Sequence, residues 1–107
     1  MSNGKPLEGL KVVELGTHFA IPAVARMMAD WGAEVVKVEG LSGEAWRVVG
    51  RNQKCTITDD ENPFFTVPNA NKKFIALNLK DPDGKAALMK LIGQADIFLS
   101  NMRLPAL

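Results

Sequence analysis

Apolar residues along the chain follow two alternating rhythms. Lys11–Leu15 is a short run of β-branched and aliphatic residues that stops at Gly16, the pattern of a buried strand. After it the spacing becomes helical. Val24, Met27, Met28 and Trp31 recur at i, i+3, i+4, i+7 and are expected to face the core. Pro22 suits the first turn of that helix, and Gly32 suits the left-handed position just past its last turn. Val35–Val38 reads as a second strand, so residues 11 to 39 predict a βαβ unit with a right-handed parallel crossover. Gly16 to Ile21 then lie at the carboxyl edge of a parallel sheet, beside a helix amino terminus, where open α/β sheets take anionic ligands.

Beyond this unit, Gly40–Gly43 is a loop and Glu44–Val49 has room for a single helical turn. Gly50–Asn62 is polar without a period, a connection expected to be mobile. Pro63–Pro68 is bracketed by prolines and is expected to form an aromatic pad or a short turn. Phe74–Leu79 predicts a third strand. Asp81 can cap a following helix with Pro82 at its first position, although Gly84 weakens the first turn. That helix runs to about Gln94 with Ala87, Leu88, Leu91 and Ile92 as its apolar stripe, and Asp96–Ser100 is a buried strand. The expected fold class is α/β, a Rossmann-like open parallel sheet with flanking helices, in one domain over residues 1–107. The last strand would deliver Asn101, Met102 and Arg103 to the ligand edge with no helix after it. The chain therefore reads as a truncated part of a larger fold.

At 107 residues there is room for one small domain, and a formal net charge of +1 gives no global field for nucleic acid or a membrane surface. Cys55 is the only cysteine and His18 the only histidine, which excludes an intramolecular disulfide and leaves no Cys/His metal cluster. With no leader and no apolar run of about 18 residues, a cytoplasmic location is expected and no membrane partner.

Two chemistries can be weighed at the ligand edge. A dinucleotide site needs G-x-G-x-x-G in the first βα turn and an acid about 20 residues on. Only Gly16 is present in Gly16–Ile21, while Glu39 supplies the acid; a solvated strand end explains Glu39 equally well. His18 could act in acid–base work or orient a carbonyl, but a lone histidine is more often structural. Among the cations near the third and fourth strands, Lys72, Lys73 and Lys85 read as surface lysines, whereas Lys80 and Arg103 directly follow strands and suit phosphate pairing. Met27, Met28 and Trp31 are assigned to the core, and Asp59, Asp60 and Glu61 to a solvated loop.

Three ordered blocks carry a family likeness. Pro6-Leu7-x-Gly9-x-Lys11-Val12-Val13-Glu14-Leu15, then Pro22-x8-Asp30-Trp31-Gly32-Ala33-Glu34-Val35-Val36-Lys37-Val38-Glu39, then Asn71-Lys72-Lys73-x3-Leu77-Asn78-Leu79-Lys80 resemble the amino-terminal segment of class III coenzyme A transferases. That family includes formyl-CoA transferase, the carnitine CoA-transferases and α-methylacyl-CoA racemase. Within it, the chain is most similar to the enzymes of amino-acid-fermenting anaerobes that move CoA between (R)-2-hydroxy acids and their enoyl-CoA or acyl-CoA partners, such as 2-hydroxyisocaproate CoA-transferase.

The resemblance implies a CoA site formed by Phe19 and Ala20 after strand 1, Leu77, Asn78, Leu79 and Lys80 after strand 3, and Asn101, Met102 and Arg103 after strand 4. CoA or acyl-CoA would be a substrate, with no tightly bound cofactor and no metal, and a carboxylic acid would be the second small-molecule partner. The family nucleophile is an aspartate downstream of the region present here. It forms a mixed anhydride and then an aspartyl-CoA thioester, splitting one difficult transfer into two steps. No catalytic residue is therefore assigned within these 107 residues, the segment alone is expected to be inactive, and the whole protein is expected to be an intertwined homodimer. Two departures stand out. Formyl-CoA transferase has glutamine in place of Phe19, which implies a larger, more apolar substrate here, and arginine in place of Gly40, which removes one phosphate contact. The alternatives are a CoA-thioester racemase of the same family and a non-catalytic nucleotide-binding module.

Overall fold

The computed structural model describes residues 4–47 and 62–102. Strands β1 (Lys11–Leu15), β2 (Glu34–Glu39), β3 (Lys73–Ala76) and β4 (Ile97–Ser100) form one parallel sheet in the order β3-β2-β1-β4. Helices α1 (Ala20–Asp30), α2 (Pro63–Asn69) and α3 (Pro82–Gly93) complete the expected α/β architecture. The chain steps outward from β1 to β3, then returns to the free side of β1 to lay down β4. The reversal of direction thus falls between the carboxyl ends of β1 and β4, the place where open α/β sheets bind ligands.

Successive strand residues point to opposite faces, so adjacent valines serve two cores. Val12 and Val35 pack with Ala25, Ala29 and Ala33 on the α1 face. Val13, Leu15 and Val38 pack on the other face against Leu88, Leu91 and Ile92 of α3, with Leu77, Leu79, Phe98 and Met102.

The face that α1 presents differs from the expected one. Val24, Met27 and Trp31 are each about half exposed, at 45%, 51% and 49%, while Pro22, Ala25 and Ala29 are buried. Small side chains let the helix axis approach the sheet closely, so the row of alanines, and not the bulkier stripe, faces inward; of the expected set only Met28 packs against the core. The predicted end holds. Gly32 takes φ +108°, and the Gly32 and Ala33 N–H groups donate to the Ala29 and Met28 carbonyls.

Pro63–Asn69 is a helix, not a pad or turn. The Asn62 side chain accepts the Phe65 N–H at 3.3 Å, and Pro63 occupies the first helical position, where a missing N–H costs nothing. Pro68 falls in the last turn. Docking on α1 stabilises this short helix: the Arg26 guanidinium donates to the Val67 carbonyl, and Asn71 Nδ2 donates to Asp30 Oδ1 at 2.6 Å.

β3 is shorter than expected, ending at Ala76, and all four of its residues are exposed because it is an edge strand. Beyond Leu77 the chain bends at Asn78, whose Oδ1 accepts the Lys80 N–H and whose carbonyl accepts the Asp81 N–H, both at 3.1 Å. Gly84 has a reason to be glycine there. A Cβ on it would sit 1.9 Å from the Asn78 carbonyl oxygen, so the first turn of α3 can close onto this bend only without a side chain. The other expected boundaries are met to within a residue or two: Asp81 caps α3 through the Asp83 N–H at 2.8 Å, and β4 follows. The expected loop from residue 50 to Asn62 lies outside the described residues except for Asn62 itself, as do Cys55, the acidic run of residues 59–61, and Arg103.

Candidate functional site

The carboxyl ends of the strands open into a groove of about 500 Å³. Leu15, Gly16 and Thr17 come from β1 and its exit, Gly40 to Glu44 from the loop after β2, Leu77 to Lys80 from the bend after β3, and Met102 from beyond β4. Its lining is largely apolar with a polar rim, as expected for a small-molecule site. Lys80 stands exposed on that rim, and its Nζ has no bonding partner among the described residues.

The loop after β1 is held from two sides. Thr17 and Asn101 bond reciprocally: Thr17 N–H donates to Asn101 Oδ1 at 3.1 Å, and Asn101 Nδ2 donates to the Thr17 carbonyl at 2.9 Å. This pair spans the switch point between β1 and β4. His18 takes φ +65°, and its N–H donates to Glu44 Oε2 at 2.8 Å. Its ring meets Trp46 edge-on with centroids 5.6 Å apart, and Nδ1 lies 3.1 Å from the Thr17 hydroxyl. Phe19 and Trp46, with Pro63 and Val67, line a separate apolar cleft of about 350 Å³.

On the α1 face of the sheet lies a buried charge cluster. The Glu14 carboxylate accepts from Lys37 Nζ at 2.7 Å and from Lys72 Nζ at 2.5 Å, and the side chains of all three are fully buried. Lys37 also donates to the Gly16 carbonyl, and Lys72 to the Pro22 carbonyl and Asn69 Oδ1. Burial pulls the Lys72 ammonium down to about 8, against the opposing pull of Glu14. Beside it, Glu39 is paired in bidentate fashion with Arg47, both contacts at 2.7 Å, and accepts the Glu44 N–H. Burial raises the Glu39 carboxyl, but the Arg47 and Glu44 hydrogen bonds outweigh it and the net effect is a lowered pKa. The Arg47 guanidinium stacks over the Phe65 ring at 3.8 Å. Three carboxylates (Glu14, Glu39, Glu44) thus sit with three cations (Lys37, Arg47, Lys72), a locally neutral set. One valence is left over: Glu44 Oε1 is buried with no hydrogen-bond partner.

Several expectations change here. Glu39 is neither solvated nor free for a ribose, since both its oxygens are engaged. Lys72 is a buried bridging group, not a surface lysine; Lys73 is a surface lysine, paired with Glu34 at 2.9 Å. Lys85 is exposed. Leu77, Asn78, Leu79, Lys80 and Met102 come together along the groove, and Asn101 joins them through Thr17. Phe19 faces the apolar cleft instead, and Ala20 is an exposed first residue of α1. Glu14 and Lys37 escaped the sequence reading although a signal existed. They are the only charges inside otherwise apolar strands, and they stand directly opposite one another in the β1–β2 register. Among the described residues no group of three potential metal ligands occurs, and no helix is long and apolar enough to cross a membrane.

An open parallel sheet with a groove at the carboxyl ends of its strands is the class of α/β fold that takes ligands at that edge. The profile of CoA-transferase family III matches residues 7–107, and the chain belongs to that family. It is 48% identical over 101 residues to an (R)-2-hydroxy-4-methylpentanoate CoA-transferase of Clostridioides difficile, covering 94% of this chain and 25% of that protein. It is 41% identical over 106 residues to a cinnamoyl-CoA:phenyllactate CoA-transferase of Clostridium sporogenes, covering 99% of this chain and 26% of that protein. In structure it is similar to a CAIB/BAIF family protein from Brucella suis, with TM-score 0.85 and 31% identity over 95% of this chain and 27% of that one. The chain therefore spans about a quarter of the length of the relatives it matches.

Proposed function

We propose that this chain is the CoA-binding segment of a transferase that moves coenzyme A between carboxylic acids, with (R)-2-hydroxy acids and their acyl- or enoyl-CoA partners as its substrates. The observation that carries this reading is the groove at the carboxyl edge of the sheet in a chain of this family: its lining includes Leu77, Asn78, Leu79, Lys80 and Met102. The choice of 2-hydroxy acids rests on the activities for which the two clostridial relatives are named.

In this reading Lys80 Nζ pairs with a CoA phosphate, Leu79 and Met102 pack against the nucleoside or pantetheine arm, and the Asn78 amide contributes polar contacts. As the family resemblance implies, the carboxylate that carries the acyl group is an aspartate outside this segment, while Glu14 and Glu39 here are held in ion pairs. The segment binds and orients, and the whole enzyme works as a homodimer in the cytoplasm.

The test is to incubate the whole enzyme with an acyl-CoA and a free (R)-2-hydroxy acid and to follow the thioesters by mass spectrometry. Appearance of the 2-hydroxyacyl-CoA with release of the donor acid is the expected result. Epimerisation of a 2-methylacyl-CoA without exchange would identify a racemase instead, and binding of NAD in preference to CoA would overturn both.

A further inference from the structure

We propose that Glu44 is a ligand-binding residue whose second carboxylate oxygen accepts an uncharged N–H of coenzyme A, from a pantetheine amide or from the adenine amino group. This assignment rests on the CoA reading and adds to it a residue outside the set that the family resemblance implies. Glu44 lines the groove together with Gly16, Thr17 and the Gly40–Gly43 loop. It is held at every polar atom but one. Its N–H donates to Glu39 Oε1 at 3.1 Å, its carbonyl accepts the Arg47 N–H at 3.1 Å, and its Oε2 accepts the His18 N–H at 2.8 Å. These bonds fix the carboxylate between the exits of β1 and β2.

The remaining oxygen, Oε1, is buried with no hydrogen-bond partner among the described residues, on a residue only 8% exposed. The other two buried glutamates differ: both oxygens of Glu14 and both of Glu39 accept a donor. Leaving a buried acceptor unmet is costly, and most so for a charged one. One open valence in a cluster otherwise fully paired therefore marks a group whose partner arrives from outside. The carboxylate also decides the chemistry of that partner. It repels phosphate, and it stands in a set of three carboxylates and three cations that an added cation would unbalance. An uncharged N–H satisfies the oxygen without either cost, and CoA carries such groups on its pantetheine arm and on its adenine ring. Oε1 is screened from solvent, but the loop leading into Glu44 has room to yield: a Cβ on Gly40 would meet nothing within 4 Å, and Leu41 is 71% exposed.

The test is Glu44→Gln in the whole enzyme, with CoA, phosphopantetheine and adenosine bisphosphate titrated calorimetrically and thermal unfolding of the ligand-free protein measured alongside. Glutamine keeps the shape and accepts the His18 N–H through its oxygen, which turns its NH2 toward the ligand, donor against donor. The expected result is a Kd for CoA raised roughly tenfold or more, with the ligand-free Tm unchanged or higher. A loss shared by phosphopantetheine alone assigns the contact to an amide, and one shared by adenosine bisphosphate alone assigns it to the adenine amino group. The ligand side gives a second measurement in the unmodified enzyme. N-methylation of the pantetheine amides, or an oxo group in place of the adenine amine, deletes the same donor; one of the two must weaken binding and must cost nothing further in Glu44→Gln. A Kd for CoA within about twofold of the unmodified enzyme's, or no effect of either analogue, would overturn the proposal and leave the CoA reading standing. A lower ligand-free Tm with equal weakening of both fragments would also overturn it, since Oε1 would then serve a donor within the protein. Failure of the unmodified enzyme to bind CoA would instead sink the CoA reading, and this assignment with it.

Discussion

Glu14→Gln is expected to be the most damaging single substitution in the described region. The native carboxylate accepts one ammonium on each oxygen, and all three side chains are fully buried. An amide offers one acceptor oxygen and turns an NH2 toward the second lysine, so donor faces donor and two buried ammonium groups lose their counter-charge. Breaking a buried pair by removing one partner costs about 3–5 kcal/mol, a large share of the roughly 5–15 kcal/mol available to a domain. For a unit of this size that corresponds to a fall in Tm of roughly 12–40 °C. Urea denaturation followed by circular dichroism would measure it, with an unchanged denaturant slope confirming that stability and not compactness has moved. Lys37→Met and Lys72→Met should each cost less, because Glu14 then keeps one ammonium. The combination Glu14→Leu, Lys37→Met, Lys72→Met should recover most of the loss, since apolar replacement of a whole buried cluster is often neutral. A loss below about 1 kcal/mol for Glu14→Gln would refute the reasoning, because only lysines that reach water could tolerate it.

Three further outcomes are expected. Lys80→Gln in the whole enzyme should weaken acyl-CoA binding by about 1.5–3 kcal/mol with little change in stability, and should make the remaining affinity less sensitive to salt; an unchanged KM would remove Lys80 from the site. Since the Lys72 pKa falls to about 8 in the folded state from an ordinary 10.5, the unfolded chain holds a proton between those values that the folded chain has released. Stability relative to Lys72→Met should therefore rise with pH from about 8 to 10.5, by at most roughly 3 kcal/mol, with the burial penalty fully present below pH 8; denaturation of both proteins at pH 7.5 and 10 checks the sign. Gly84→Ala would drive its Cβ against the Asn78 carbonyl, and should cost about 1–3 kcal/mol of stability while lowering CoA affinity through the displaced Asn78–Lys80 bend.

The sheet was legible because its strands carry local signals: apolar runs that end at glycine, and helices with proline entries and glycine exits. The groove followed from topology, since parallel strands deliver their exits to one edge. What was not legible depended on partners distant in sequence. The inward face of α1 was set by how closely the helix could approach the sheet, which favoured Ala25 and Ala29 over the larger Met27 and Trp31. α2 was hidden by two prolines, and its cap and its docking on Arg26 and Asp30 needed the tertiary structure to be seen. Lys72 reads as a surface lysine from its neighbours Asn71 and Lys73; its burial depends on acceptors that include Glu14, 58 residues earlier, and the Pro22 carbonyl.

The structure also explains how the turn after β1 keeps its shape without a glycine fingerprint. A dinucleotide loop uses glycine at its tight positions so that bare backbone can approach a pyrophosphate. Here His18 occupies the left-handed region at φ +65°, a conformation that costs a side-chain-bearing residue about 1–2 kcal/mol. Three contacts offset that cost, each from a different element: Lys37 of β2 on the Gly16 carbonyl, Asn101 after β4 on both sides of Thr17, and Glu44 on the His18 N–H. The Glu44 contact uses up an N–H that an incoming phosphate would otherwise find, and Phe19 and Trp46 occupy the space beside it with aromatic rings. A loop built this way offers no free His18 N–H to a pyrophosphate, which is why its backbone needs no glycine fingerprint.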